Sequence, residues 1–347
     1  DLEIEVPTTW DELKAILPVL QSEYMEIAMP QKLAGFTLLY YQRDGELYAD
    51  GGMRINLDSN LSLESFETMC NMFTQYSLPV SYDFANRFRT GEMPICIQPY
   101  TSYNNIIIFA TEIAGLWDFG PIPGFAKEDG TVDNTAMSGT SALVMMAGAE
   151  NIKEAWTFMS WYTDTKFQVD YSNELVAILG PAAKNATANM AALEELPWTS
   201  HEYEQLMKQM DHTAAIVAYP GSYILARYTN FAFLDAYNNH ADPVDSLLSY
   251  INTINKEITR KRTEFDLETL EIGQTLASKR LDQAAAAIDE LDEGTKSSAP
   301  VAAAIEAIAS ENDIAAIRAA ADGLAASMPE VAGYLTDAAI ALESYLN

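Results

Sequence analysis

The residues that could do covalent or acid–base chemistry are scattered along the chain. Its three histidines, His201, His212 and His240, stand in unrelated surroundings. There is no Gly-x-Ser-x-Gly elbow, no His-Glu-x-x-His, no Gly-x-Gly-x-x-Gly and no cysteine pair at zinc spacing. Glu194 and Glu195 are adjacent and so point apart on a helix, whereas a glycosidase pair holds its carboxyls about 5–9 Å apart across the substrate. Asp44, Glu46, Asp50 and Asp58 lack the spacing of a calcium loop closed by a bidentate Glu. No catalytic residue, metal site or cofactor is therefore expected. What recurs instead is flat rings beside hydrogen-bonding groups. Tyr100 and Tyr103 follow an apolar run, Trp117 and Phe119 precede the turn Pro121-Ile122-Pro123-Gly124, and Tyr219, Tyr223 and Arg227 fall close together. Tyr40, Tyr41 and Gln42 form a second aromatic edge, and Ser138 and Thr140 offer hydroxyls before another apolar run. Rings cover the C–H faces of a sugar, while hydroxyl, amide and guanidinium groups bond its hydroxyls. The pattern suits reversible binding of a carbohydrate better than its chemical conversion.

The elements that must position these residues read as alternating helices and strands. Asp83 to Phe125 is the organising stretch: a helix, the turn Thr90-Gly91-Glu92, a buried strand from Met93 to Pro99, a loop bearing Tyr100 and Tyr103, and a second strand ending at the Pro-x-Pro-Gly turn. Pro7 to Gln21 is an amphipathic helix with Thr8 and Thr9 as candidate caps. Ile27–Pro30 is a short strand and Leu33–Tyr41 a helix. Residues 44–60 form a surface hairpin with Asp-Gly signals, and a helix capped by Ser62 follows. Gly124–Thr135 reads as a polar loop, Ala142–Ala147 as a strand, and Ile152–Asp164 as a helix continued by Lys166–Asn173. Beyond these come helices at Asn189–Leu196 and at Ser200–Met210, the latter started by Ser200 and Glu204. A strand at His212–Tyr219 and helices at Tyr223–Asn238 and Pro243–Phe265 complete this part. The alternation predicts an α/β fold with sheets covered by helices. After Leu267 the chain is rich in Ala and poor in aromatics, which predicts a helical hairpin or small bundle.

Composition narrows the function classes. The chain of 347 residues carries 50 acids against 20 bases, a formal charge of −30, which argues against nucleic acid and anionic membranes as partners. Its one basic run, Arg260-Lys261-Arg262, reads as a helix end favoured by the dipole. Cys70 and Cys96 read as small buried hydrophobes. The longest apolar runs fall well short of the roughly 20 residues that span a bilayer.

Several segments together resemble extracellular solute-binding proteins of family 1, the capture subunits of ABC importers for carbohydrates, in the large lipoprotein form of Gram-positive bacteria. They are Val6-Pro7-Thr8-Thr9-Trp10-Asp11-Glu12-Leu13, the stretch around Phe88, Gly91 and Met93, Ala136 to Val144, Asn151 to Asp170, and Arg227, Asn230 and the run Ile251 to Glu268. They stand in the family's order and cover about residues 1–268. The resemblance implies a type II periplasmic-binding-protein-like two-lobe fold, with most of the first lobe ahead of this chain, in the same polypeptide or in another. On that basis residues 1–140 are a second-lobe α/β segment and 141–205 return to the first lobe. Residues 206–267 are second-lobe helices and the hinge return, and 268–347 are an all-α extension of unassigned role. It also implies that Tyr100 takes the place of an aromatic that stacks on sugar, and that Tyr223 and Arg227 lie in a helix that closes over the ligand. With Tyr40, Gln42, Tyr103, Trp117, Ser138, Thr140 and Tyr219 these make the expected ligand set. The implied partners are an oligosaccharide and the transmembrane subunits of an ABC permease, met at the cell surface by a protein lipid-anchored through an N-terminal part outside this chain. Two other readings stand beside it: a solute-binding fold used as a sensor or adhesion module, and a polysaccharide-acting enzyme.

Overall fold

The computed structural model describes residues 2–185, 187–270, 274–310 and 313–346. In chain order the first elements are α1 (Trp10–Ser22), β1 (Ile27–Ala28), α2 (Lys32–Tyr41), β2 (Tyr48–Ala49), β3 (Arg54–Ile55), α3 (Asn60–Thr74), α4 (Phe84–Arg89), β4 (Ile95–Cys96) and α5 (Ser102–Phe109). Then come β5 (Phe125–Ala126), β6 (Val132–Asp133), β7 (Ala136–Ser138), α6 (Ile152–Tyr162), α7 (Thr165–Leu179), α8 (Met190–Glu195), α9 (Ser200–Met210) and β8 (Thr213–Ala215). The remainder is helical: α10 (Leu225–Asn239), α11 (Pro243–Glu264), α12 (Gln274–Asp289), α13 (Glu293–Lys296), α14 (Ala299–Ala309), α15 (Ile314–Leu324) and α16 (Pro329–Leu346). The chain divides into two compact units, one of Asp1–Arg43 with Tyr76–Ile216, the other of Asp44–Gln75 with Val217–Asn347. Helices alternate with short two-stranded pairs as far as β8, an α/β arrangement, and the described residues after β8 form only helical elements.

In the first unit, α1 opens with a capping box: the Glu12 N–H donates to Thr9 Oγ1 at 3.2 Å and the Thr9 N–H to Glu12 Oε2 at 3.2 Å. Trp10, Leu13, Leu17 and Leu20 recur at helical spacing and are buried. The buried indole N–H of Trp10 donates to Gln42 Oε1 at 2.6 Å, and Gln42 Nε2 donates to the Pro123 carbonyl at 3.0 Å. That relay fastens the Pro-x-Pro turn to α1, as does the parallel bridge of Thr9 with Gly124. A Cβ on Gly124 would fall 2.2 Å from the Asp133 carbonyl oxygen, so only glycine lets these backbones approach. β1 pairs in parallel with β4, aligning Ile27 with Ile95, and β7 pairs in parallel with β8, aligning Ala136 with Thr213.

The second unit packs α3, α10 and α11 around Phe66, Met69, Phe73, Phe233, Leu247, Ile251 and Ile254. Asn255 Oδ1 accepts from the Ile55 N–H at 2.8 Å and holds β3 to α11. Asn252 Nδ2 donates to the Ala341 carbonyl, which binds α16 to the same helix. In the Ala-rich helices, buried Ala284, Ala304, Ala307, Ala338 and Ala339 let helix axes come close. Arg280 of α12 is 2% exposed and donates to the Asp58 carbonyl and to Gln283 Oε1 at 2.9 Å. Its Nε lies 3.1 Å from Asp337 Oδ2, an ion-pair distance outside hydrogen-bond alignment. The extension is thus tied by a buried charge to the corner before α3.

The structure corrects several local expectations. Residues 102–109 form α5 rather than a strand, because Tyr103, Ile106 and Ala110 recur at helical spacing toward the unit's interior despite three isoleucines in a row. Gly124–Thr135 holds the β5–β6 hairpin, closed by the Lys127–Asp133 ion pair at 2.8 Å. The strand at this crossing is Ala136–Ser138, and 142–147 is irregular and exposed, Val144 by 76%. Lys166–Asn173 belongs to a separate helix, started by Asp164 accepting from the Lys166 and Phe167 N–H groups. The cap of α3 is Ser59, three residues before the buried Ser62, and the cap of α9 is Thr199 with Glu202. Cys70 and Cys96 are both free thiols, each pushed up to about 12, first by burial. Among the described residues no helix is long and apolar enough to cross a membrane, and no group of three or more His, Cys, Asp or Glu is placed to hold a metal ion.

Candidate ligand-binding surfaces

Five rings meet in the first unit. Tyr103, at the start of α5, has its ring 5.5 Å from Trp117, 5.7 Å from Phe119 and 5.3 Å from Trp198, all edge to face. Tyr100 lies 5.8 Å from Trp198. An ion pair between buried Lys184 and partly exposed Glu202 anchors the group. Lys184 Nζ is 2.7 Å from Glu202 Oε2 and 4.7 Å above the Trp198 ring, and Tyr103 Oη donates to Glu202 Oε1 at 2.5 Å. Helix α9 is the post that carries this arrangement. Its Thr199–Glu202 capping box sets the carboxylate, His201 Nε2 sits 2.6 Å from Asp118 Oδ2 beside Trp117, and Gln209 Oε1 accepts from the Ile122 N–H at 2.9 Å. Asn104 of α5 donates to the Lys184 carbonyl at 2.9 Å, which ties the lysine's own loop to α5.

Electrostatics keep the phenols of this cluster protonated and its carboxyl ionised. Burial pulls the Glu202 carboxyl upward, but bonds from Lys184, Tyr103 and Thr199 outweigh it and bring the group to about 2. Burial, with the Glu202 charge behind it, raises both Tyr100 and Tyr103 above the ordinary phenol range, so both rings stay neutral. Tyr100 Oη and Trp198 Nε1 are buried without a hydrogen-bond partner. Two donors without acceptors are costly unless something else supplies them.

The second unit holds a polar groove of about 390 Å³ lined by Tyr223, Ile224, Arg227, Tyr228, Thr253, Lys256, Glu257 and Arg260. Gly221 makes the turn into it at φ 87°, where a Cβ would fall 2.6 Å from the Ile258 Cα. Tyr223 is 63% exposed, and its hydroxyl donates to Glu257. Arg260 grips the same carboxylate with two donors, at 2.6 and 2.7 Å. Those bonds, from Arg260 first and then Tyr223, hold Glu257 near 2.

Of the expected ligand set, Tyr100, Tyr103 and Trp117 come together in the first unit, and Tyr223 and Arg227 in the second. Tyr219 packs edge-on to Tyr48 at 5.0 Å and against Gly52. Ser138 lies in the β7–β8 pair, its hydroxyl donating to the Ala214 carbonyl at 3.5 Å, and Thr140 is exposed beyond it. Tyr40 and Gln42 are corrections: each is 1% exposed, Tyr40 is stacked on Phe36 at 5.2 Å, and Gln42 is bonded to Trp10 and Pro123. Trp198, Lys184 and Glu202 were not expected. The signal in the sequence was Trp198 directly ahead of a Thr-x-x-Glu capping box, the position that packs against a helix start.

The family model for bacterial extracellular solute-binding proteins matches residues 2–198, more than half of the chain. The chain belongs to this family. The family is one of extracellular solute-binding proteins, binders rather than enzymes. No curated protein matches it. Solved structures resemble this solute-binding protein at low identity. An ABC-transporter solute-binding protein from Thermotoga lettingae, bound with α-D-tagatose, is 16% identical with TM-score 0.59 over 73% of this chain and 65% of its own. Maltose-binding MalE from Listeria monocytogenes, in complex with maltose, is 16% identical with TM-score 0.58 over 74% and 68%. UgpB from Mycobacterium tuberculosis, in complex with glycerophosphocholine, is 17% identical with TM-score 0.53 over 76% and 64%. The chain thus spans about two thirds of the length of these relatives.

Proposed function

We propose that this solute-binding protein is the capture subunit of an ABC importer, that its solute is an oligosaccharide, and that it delivers the solute to a membrane permease from a lipid-anchored position outside the cell. The observation that carries the reading is the ring cluster of Tyr100, Tyr103, Trp117, Phe119 and Trp198 on the Lys184–Glu202 post. Rings fixed edge to face keep their orientation without a ligand, so little side-chain entropy is lost when a sugar ring is met. Family membership supports capture as the role, and the tagatose- and maltose-bound neighbours support a carbohydrate.

The helices α6 and α7 carry exposed large apolar side chains, Trp156 at 62%, Phe158 and Trp161 at 52% and Leu179 at 64%. We assign their covering to the part of the relatives' fold that this chain does not span, supplied by the same or another polypeptide. A thermal-shift panel tests the capture reading, using this chain and a version extended at its N-terminus against oligosaccharides, amino acids and short peptides. A selective ligand raises the midpoint by mass action, by about 2.7 kcal/mol at a hundredfold excess over Kd. Shifts with peptides or amino acids alone, or with nothing, overturn the carbohydrate assignment.

A further inference from the structure

The groove on the second unit has a basic lining on an acidic protein. The chain carries 50 acids and 20 bases, yet the groove lining holds Arg227, Lys256 and Arg260 against one acid, Glu257. That acid is already neutralised, since Arg260 binds both of its oxygens and the Tyr223 hydroxyl donates to it as well. Arg227 is different. It is exposed and makes no hydrogen bond or ion pair among the described residues. In a molecule so rich in carboxylates, an arginine left unpaired beside a half-open tyrosine ring is a vacant partner for an anion brought from outside. Its guanidinium is a planar fork that matches a carboxylate through two parallel bonds, and the adjacent Tyr223 ring presents a face for sugar C–H groups. The charge of −30 does not cancel this locally, because at physiological salt exposed charges beyond about 8 Å are largely screened.

We infer that this groove takes an acidic saccharide, a uronate-bearing one, and that Arg227 receives its carboxylate. The inference rests on the carbohydrate reading above and adds a ligand class for the groove of the second unit. Glu257 and Arg260 fix the Tyr223 hydroxyl, so the ring stands beside Arg227 without a ligand to order it.

Calorimetric titration separates the two readings. The probes are a trigalacturonate, a neutral trisaccharide of the same sugar series with its carboxyls reduced, and a sugar phosphate, each against the parent chain, Arg227→Gln and Arg227→Lys. Because Arg227 is exposed and unpaired, both variants keep the parent's melting midpoint. The expected result is tighter binding of the uronate than of the neutral trimer by about tenfold or more, with that margin lost in Arg227→Gln, partly kept in Arg227→Lys, and reduced by salt. Equal binding of both trimers, or an Arg227→Gln loss shared by both, overturns the acidic-sugar inference and leaves sugar capture standing. Arg227-dependent binding of the sugar phosphate with none of the uronate overturns the carboxylate assignment. Failure of every saccharide, neutral or acidic, overturns the capture reading itself.

Discussion

At the scale of single residues, the first unit's surface depends on one ion pair. Lys184 is 8% exposed and its ammonium is surrounded by Glu202, the Tyr103 hydroxyl and the Trp198 ring. Glu202→Ala removes the carboxylate, leaves that ammonium unpaired and opens the capping box of α9, so it is expected to lower stability by about 3 kcal/mol in urea unfolding. Trp198→Ala tests the surface itself. It is expected to weaken sugar binding by about tenfold in titration, in line with the loss of one aromatic anchor, while circular dichroism keeps its parent form. The residues on which these predictions rest were only partly legible. Tyr100, Tyr103 and Trp117 could be chosen because each sits beside a turn or at the end of an apolar run. Lys184 and Glu202 are each ordinary in sequence, and only packing of the loop before α8 against α9 makes them a pair.

At the scale of elements, helices were read well wherever capping chemistry and apolar spacing agreed, as in α1, where Thr9 and Glu12 close a box ahead of Trp10, Leu13 and Leu17. Reading failed where two signals competed. Ile106-Ile107-Ile108 looks like a strand by β-branching, yet Tyr103, Ile106 and Ala110 set a helical face. At 142–147 the apolar run looks like a strand, but no neighbouring strand among the described residues completes a ladder there. The start of α3 offers a direct check. Ser59 Oγ accepts from the Ser62 N–H at 3.2 Å, whereas Ser62 Oγ is buried without a partner. Ser59→Ala is expected to cost about 1 kcal/mol, and Ser62→Ala to be neutral or mildly stabilising, by thermal unfolding. Gly221→Ala meets both a left-handed backbone and the Ile258 main chain, and is expected to lose about 2 kcal/mol or more together with the Tyr223 side of the groove.

At the scale of the whole molecule, the C-terminal helices bring a pH dependence of their own. Asp337 on α16 is pushed up to about 6, first by burial; Arg280 pulls the other way, and Asp245, Asp58 and Asp242 add to the rise. A folded-state value above the unfolded one means the native state holds the proton more tightly. This group's contribution is therefore full below about pH 4 and lost as pH rises through about 6. Against the parent, Asp337→Asn is expected to flatten the stability profile between those limits by an amount on the order of 2 kcal/mol, read by urea unfolding at stepped pH. Capture of a saccharide by reversible binding is tested most directly by titration calorimetry of the purified chain and its N-terminally extended form against a panel of oligosaccharides, followed by recovery of the ligand. The expected result is saturable binding of one saccharide class, with the recovered sugar chemically unchanged and the affinity lowered in Trp198→Ala. Binding of no saccharide, or recovery of a cleaved one, contradicts it.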